Sequence, residues 1–390
     1  MKTYSTLLMP RSGSYKVLSF FTGAMGLDLG LEAAGLDVQL GQELDPIAVA
    51  TIEANGRRVV PGDLRTLLAH DPDLMSFMAE AGLRRGETFA VVGGPPCQPF
   101  STAGHRRGVN DNRGMLIFDF LKAVNAIAPR FMILENVKGL LGSAGTTDMS
   151  LLDEILASLS AMGYQAIWGV LDASHFGAAQ FRERLVIIAS RDGEDLFLPV
   201  PTHFPKHQSP AHRWQTLRDV IGDLEFVPGE HARFSPKVQS VLELIPEGCN
   251  WRSLPPEIGE QAMGGAWNSG GGKVGFFRRL NYSEPSPTLV TSPIQKATML
   301  CHPTQNRPLS IKEYARIQGF PDDWVLVGSV ANRYKQLGNA VPWALGNALG
   351  QMLLAVATNS SIIHTKRRRG TATHNSMDTV ACDEIRMSVA

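Results

Sequence analysis

Val17-Leu18-Ser19-Phe20-Phe21 runs directly into Thr22-Gly23-Ala24-Met25-Gly26, which reads as a strand that breaks into a glycine turn and then a helix. Glycines at such a turn let backbone amides approach a ligand, and the N-terminus of the following helix favours negative charge. Further apolar runs follow at Val38–Leu40, Phe89–Val92, Phe131–Leu134, Ala166–Leu171 and Leu185–Ala189. Unbroken runs of this length suit strands buried on both faces of a parallel sheet. Between them lie helix candidates with legible ends. Asp45 is an N-cap with Pro46 at the first helical position, and Leu151–Met162 has helical spacing that stops at Gly163. The alternation predicts a doubly wound α/β domain.

The 390 residues are enough for two domains, or for one with a large insertion. A hydrophobic fraction of 44% and a charged fraction of 19% are those of an ordinary globular chain. Lys+Arg and Asp+Glu both number 37, so any footprint for nucleic acid has to be local. The four cysteines, Cys97, Cys249, Cys301 and Cys382, show no C-x-x-C spacing, which fits a reducing cytosolic compartment. Pro10, Arg11 and Ser12 cut short the N-terminal apolar patch and argue against a signal peptide. Val17–Leu36 carries Asp28, Glu32 and several glycines, so it reads as strand, loop and helix and not as a membrane span. After Arg191 the texture changes: residues 192–275 are rich in Pro, Gly and His with weak periodicity. Helical spacing resumes at Tyr314–Gln318 and Val341–Leu354. A second, smaller domain or long insertion is expected there. From about Thr358 the chain is polar, carries Lys366-Arg367-Arg368-Arg369, and is expected to be a disordered tail.

In open parallel sheets, ligands bind beyond the carboxyl ends of the strands, and chemistry-bearing residues fall there. The second strand runs to Glu43, a carboxylate that suits the two hydroxyls of a ribose, and Asp63 follows in Pro61-Gly62-Asp63-Leu64. A later strand ends in Gly93-Gly94-Pro95-Pro96-Cys97-Gln98-Pro99-Phe100-Ser101, whose prolines stiffen the backbone around a thiol. Buried free cysteine is ordinarily a small hydrophobe, the reading adopted for Cys249, Cys301 and Cys382. A rigid polar loop is a poor place for a packing residue, so Cys97 is the candidate for chemistry. The next strand ends in Glu135-Asn136-Val137, and a carboxylate after Phe-Met-Ile-Leu is costly unless paired or used. In Gln180-Phe181-Arg182-Glu183-Arg184 the alternate arginines point to one face. His203, His207 and His212 have no cysteine or acid to complete a metal site and read as surface residues; no metal is expected.

Gly-x-Pro-Pro-Cys-Gln-Pro-Phe-Ser, Glu-Asn-Val, Gln-x-Arg-x-Arg and Gln336-Leu337-Gly338-Asn339-Ala340-Val341-Pro342 resemble, in order and spacing, the motif set of the DNA cytosine-5 methyltransferases. The resemblance covers roughly residues 16–191 and 276–356. It implies a Rossmann-like S-adenosyl-L-methionine-dependent methyltransferase domain, a doubly wound mixed sheet, with a smaller, irregular target-recognition domain. The expected boundaries are 1–14 for an N-terminal extension, 15–191 for the catalytic and cofactor-binding domain, 192–325 for target recognition, 326–356 for a segment returning to the catalytic domain, and 357–390 for the tail. By the same resemblance Phe21, Gly23, Gly26, Glu43, Asp63 and Asn339 contact S-adenosylmethionine, with Phe21 on the adenine ring, Asp63 on its amino group and Glu43 on the ribose. Cys97 is the nucleophile, and Glu135, Arg182 and Arg184 surround the base. The family carries a second glycine where this chain has Met25.

The chemistry accounts for those residue types. Carbon 5 of cytosine is too weakly nucleophilic to attack a sulfonium methyl. A thiolate adding to carbon 6 makes the ring an enamine. Arginine charge favours the thiolate, and Glu135 handles a proton near N3. The base has to be flipped out of the duplex, at a cost of roughly a few kcal/mol. The partner is therefore double-stranded DNA, with specificity placed in residues 192–275; the enzyme is expected either to belong to a restriction–modification system, with a separately acting cognate restriction endonuclease as a further candidate partner, or to be a solitary methylase. Between Gly264 and Leu300 the basic residues Lys273, Arg278, Arg279 and Lys296 face only Glu284 as an acid, which suits a phosphate-tracking surface. Arg279–Leu289 resembles the motif that organises the recognition region. A monomer acting on nucleoid DNA in the bacterial cytoplasm, without a membrane, is expected. Two rival readings are a transfer-RNA cytosine methylase and a silent DNA-binding regulator. The first carries a Cys-Phe-Thr tripeptide that is absent here, and the second has no need of Cys97, Glu135, Arg182 and Arg184 together.

Overall fold

The computed structural model describes residues 15–96, 115–143, 145, 149–227 and 229–367. Cys97, Cys382 and the last two arginines of the basic run, Arg368 and Arg369, lie outside them. Seven strands form one sheet: β1 (Lys16–Phe20), β2 (Asp37–Glu43), β3 (Val59–Pro61), β4 (Ala90–Gly93), β5 (Phe131–Val137), β6 (Gln165–Asp172) and β7 (Glu183–Ser190), in the order β3-β2-β1-β4-β5-β7-β6. The six apolar runs are all strands. The seventh, β3, has only three residues and is too short to show as a run. The first five strands are parallel, whereas β7 runs antiparallel to both β5 and β6. The sheet is mixed, as the resemblance implies, but the reading of every apolar run as a strand buried on both faces fails at β6. It is an edge strand paired only with β7, and its Trp168 is exposed.

Alternate residues of the central strands face opposite layers. Leu18, Phe20, Val91, Met132, Leu134 and Ile187 pack against α3 (Leu64–His70), α4 (Met75–Glu80), α5 (Met115–Ile127) and α6 (Leu151–Ala161). Val17, Val92, Ile133, Val186 and Ile188 pack against α1 (Gly26–Ala33) and the C-terminal helix. The helix α2 (Pro46–Ala54) is capped by the Asp45 carboxylate, which accepts from Ile47 N at 3.0 Å, as its sequence predicts.

Beyond Arg191 the described residues form no strand. Helices α7 (Leu217–Ile221), α8 (Pro236–Leu242), α9 (Pro256–Met263), α10 (Ile311–Gln318) and α11 (Val330–Asn339) are joined by long loops. One buried cluster, with Phe234, Leu242, Met299 and Cys301, is internal to this region; Cys301 is packing material, as expected, and half-buried Cys249 lies against it. A second cluster joins Leu217, Ile221, Leu300 and Tyr314 to Ala24, Met25, Leu29 and Ile52 of the first domain. The helix α11 belongs to that shared cluster through Tyr334 and Leu337, so of the segment expected to return to the sheet only the last helix covers it.

That last helix, α12, spans Trp343–Arg367 and passes the boundary expected at 356. No glycine or proline occurs between Gly350 and Gly370 to stop it. By length and composition the Val330–Thr358 stretch is apolar enough to cross a membrane, but Leu345, Leu349, Met352, Leu353 and Val356 are buried in the fold. The helices α1 and α12 meet backbone to backbone through glycines. A methyl group at Gly26 would strike the carbonyl oxygen of Val341, one at Gly30 that of Trp343, and one at Gly346 that of Leu27.

Candidate active site

The strand order reverses between β1 and β4, and a crevice opens at that point beyond the carboxyl ends of the strands. There a cavity of about 860 Å³ is lined by Phe21, Gly23 and Gly26 after β1, Glu43 at the end of β2, Asp63 after β3, Glu135 at the end of β5, Arg182 and Arg184 at the start of β7, and Asn339 at the end of α11. All the site residues expected from sequence are therefore brought together except Cys97, which lies outside the described residues; Gly94, Pro95 and Pro96, which lead into it, line the same cavity.

The turn after β1 is coiled by left-handed backbone at Phe21 (φ 55°), Gly23 (φ 56°) and Met25 (φ 70°). A left-handed non-glycine residue costs roughly 1–2 kcal/mol, which explains the family's glycine at the third position. The Met25 side chain offsets the strain by burying itself beside Leu29 and Ile52 in the shared cluster. Glu43 braces this turn: one carboxylate oxygen accepts from Gly23 N at 2.7 Å, and the other accepts from Leu44 N and Asp45 N, each at 2.8 Å. Asp63 caps α3 by accepting from Arg65 N at 2.9 Å, and the Arg65 guanidinium beside it holds its carboxyl below the usual carboxylate range. At the rim Lys335 of α11 pairs with Asp45 at 2.7 Å. Arg65 and Lys335 also line the cavity. Sequence reading missed both, because neither belongs to a motif.

The antiparallel course of β7 is what sets its first residues beside the end of β5, with Val137 opposite Arg184. The Arg184 Nε lies 2.7 Å from a Glu135 carboxylate oxygen, and both side chains are nearly buried. Burial pushes the Glu135 carboxyl above its ordinary range, while the charges of Arg184 and then Arg182 pull it back. Arg182 does something else. It is 1% exposed, and its two terminal nitrogens donate to Leu289 O at 2.9 Å and Gly338 O at 2.8 Å. It thus ties β7 to the Ser286–Leu289 strip and to α11. The strip continues the tie, with Phe181 N donating to Ser286 O and Ser286 N to Ala179 O, each at 2.8 Å. Buried Gln180 donates to the Gln318 side chain at 2.7 Å. Asn136, quoted above without a role, donates from Nδ2 to Pro95 O at 3.0 Å and pins the loop that leads to Cys97.

One expectation is corrected. Arg279 is buried, and its guanidinium donates to the carbonyls of Ile245 (2.7 Å), Leu242 (2.6 Å), His302 (3.1 Å) and Gln305 (3.1 Å). Lys273 donates to Ala266 O and Trp267 O at 2.9 and 2.8 Å, and half-buried Arg278 to Met299 O at 3.1 Å. These charges hold loops together where no ladder hydrogen bonds exist, so three of the four basic residues form no exposed phosphate-tracking surface. Exposed Lys296 remains.

A mixed seven-stranded sheet of this order, with acids at the end of β2 and after β3 around one crevice, fits the Rossmann-like methyltransferase fold. Comparison with known proteins narrows the class. The sequence profile of the C-5 cytosine-specific DNA methylases matches residues 15–355, and the chain belongs to that family. It is 38% identical to the Type II methyltransferase M.Sau96I of Staphylococcus aureus over 348 residues, 88% of this chain and 76% of that one. It is 39% identical to M.PspPI of Psychrobacter sp. (strain TA137) over 351 residues, 88% of this chain and 80% of the relative. Among solved structures, a protein described as a prophage-encoded DNA modification methyltransferase (E. coli) superposes with a TM-score of 0.64 at 22% identity, covering 88% of this chain and all of that one. The protein is a DNA cytosine-5 methyltransferase.

Proposed function

We propose that this enzyme methylates cytosine within a specific duplex sequence through a covalent Cys97 adduct on a flipped-out base, and that it serves as the modification half of a restriction–modification pair. The convergence of nine motif residues on one cavity carries this reading. The volume, about 860 Å³, suits a nucleoside-sized co-substrate beside an extruded base. When bound, S-adenosylmethionine supplies a methyl group on a positively charged sulfur.

Glu43 takes the ribose with the one acceptor site that its three amide contacts leave free, on the oxygen that Gly23 N already reaches, Asp63 takes the adenine amino group, and Phe21 the ring face. Gly23, Gly26 and Asn339 shape the wall on which the methionine half lies. The Cys97 thiolate adds to carbon 6, and the ring electrons move toward carbon 5 as Glu135 shares a proton at N3. Arg184 holds Glu135 in place, and its charge limits how far that carboxyl departs from ionisation. The methyl group then passes from sulfur to carbon 5, its bond to sulfur breaking to leave the neutral thioether S-adenosylhomocysteine; a base removes the carbon 5 proton, and the thiolate leaves. Arg182 acts by positioning, since both its terminal nitrogens are committed to carbonyls. Residues 192–275 read the sequence. The Type II names and bacterial sources of the relatives support a separate endonuclease partner and action on DNA in the bacterial cytoplasm.

The test uses duplex DNA with 5-fluorocytosine at the target, identified beforehand by mapping 5-methylcytosine in a methylation-free host. Fluorine cannot leave as a cation, so the DNA should be methylated once and stay joined to the peptide around Pro95–Ser101. An adduct on Cys249, Cys301 or Cys382 moves the site. No adduct, alongside normal methylation of unmodified DNA, refutes covalent catalysis.

A further inference from the structure

The loop of residues 291–297 starts at the wall of the active-site cavity. Gly338 lines that cavity, and a methyl group on it would strike the peptide between Val290 and Thr291. One residue earlier, the Leu289 carbonyl is held by Arg182. The far end of the loop is fixed as firmly. Leu300 N donates to Pro293 O at 3.0 Å across its neck, and Met299 N donates to Gly275 O at 3.0 Å. A methyl group on Gly275 would strike the Ala297 carbonyl, so the loop rests directly on backbone. At the tip, Thr298 N donates to Gln295 O at 3.2 Å over the short 3₁₀ turn Lys296–Thr298. Held in this way, Thr291, Ile294, Gln295, Lys296 and Ala297 are all exposed.

The exposed side chains are suited to a duplex. The Gln295 Oε1 accepts from the Thr298 hydroxyl at 3.2 Å, which leaves the Nε2 donors without a partner among the described residues. Lys296 beside it pairs with no carboxylate among the described residues, and no acid occurs in the sequence between Glu284 and Glu313. The cations of the neighbouring glycine-rich segment are instead spent on its own carbonyls, Lys273 on Ala266 and Trp267 and Arg252 on Gly272. We propose that residues 291–297 form a specificity loop, in which Gln295 Nε2 donates to a base edge and Lys296 contacts a backbone phosphate beside it. The inference rests on the reading of the chain as acting on a specific duplex sequence, and it adds to residues 192–275 a reading element beyond their end. An amide donor suits N7 or O6 of guanine, N7 of adenine or O4 of thymine in the major groove. An extended chain spans at most about 3.6 Å per residue, so the Gln295 backbone lies within about 14 Å of Thr291 at the cavity wall. With stacked bases about 3.4 Å apart, the pair it reads lies within roughly five of the target cytosine.

The experiment measures kcat/KM of the full chain on the mapped target duplex and on duplexes with each neighbouring pair replaced in turn. Gln295→Ala should lose about tenfold on the native duplex and nothing on duplexes altered at the one pair it reads, so that this pair is no longer discriminated. Gln295→Glu separates reading from support. A glutamate side chain still accepts from Thr298, so it rescues a residue that merely holds the loop, but it has no donor to give a base acceptor and should not restore the rate. Lys296→Ala should weaken binding to all duplexes alike and lower the slope of log affinity against log salt by about 0.9. Unchanged S-adenosylhomocysteine binding shows that each variant folds. A uniform loss by Gln295→Ala over all duplexes, unchanged discrimination, or rescue by Gln295→Glu overturns the base contact, and an unmoved salt slope overturns the phosphate contact. A wild-type protein equally active on every altered duplex overturns the sequence-specific reading itself.

Discussion

Arg182→Met removes a buried guanidinium that holds two carbonyls from distant parts of the chain. Each charge-assisted bond, to Leu289 O at 2.9 Å and to Gly338 O at 2.8 Å, contributes roughly 1.5–3 kcal/mol. The gross loss is thus about 3–6 kcal/mol. Against it stands relief from burying the charge, several kcal/mol in principle. The two carbonyls stay buried without their donor, at roughly 1–3 kcal/mol each, so the net destabilisation should be about 2–5 kcal/mol. Urea unfolding followed by tryptophan fluorescence measures it. Arg182→Lys should fall between the variant and wild type, because one ammonium cannot span both carbonyls. A second readout separates positioning from stability. The charge of Arg182 helps to pull the Glu135 carboxyl down, so its loss should let that carboxyl rise further and move the alkaline limb of the rate profile to higher pH. An unfolding free energy within about 0.5 kcal/mol of wild type, with an unmoved alkaline limb, would refute the clamp.

Glu135→Gln should lower kcat by roughly 10²–10⁴-fold and leave S-adenosylhomocysteine binding intact. Because burial raises the Glu135 carboxyl, its protonated form persists to higher pH than that of an ordinary carboxyl and is lost as pH rises, so the variant should also lose the alkaline limb that Glu135 sets; near-normal turnover would exclude Glu135 from proton transfer. Gly30→Ala should destabilise the protein by about 1–3 kcal/mol, since its methyl group meets the Trp343 carbonyl, whereas Gly265→Ala, with open space around it, should stay within about 0.5 kcal/mol. Equal stabilities for the two would dismiss the glycine contact between α1 and α12.

The parts of the site that sequence exposed are those where a strand changes into a loop. Glu43, Asp63, Glu135 and Cys97 each interrupt or follow an apolar run, and an acid or thiol there contradicts its surroundings enough to be noticed. Asp45 and Pro46 announced α2 for a similar local reason. What stayed hidden depends on neighbours far along the chain. Arg279 reads as a basic surface residue, and only the approach of Ile245, Leu242, His302 and Gln305 turns it into an interior staple. Arg182 and Arg184 look equivalent in Gln-x-Arg-x-Arg, yet one takes Glu135 and the other takes two carbonyls.

The glycine seam between α1 and α12 also governs when the enzyme becomes competent. Phe21 leaves the ribosome early, but Asn339 and the helix that seals the sheet above Val17, Ile133 and Ile188 come 318 residues later or more. At roughly 5–20 residues per second the interval is on the order of 15–60 s, during which that apolar face waits uncovered. A chain that ends before Asn339 lacks one wall of the cavity and the helix that covers this face of the sheet. Incomplete copies are therefore expected to transfer no methyl group.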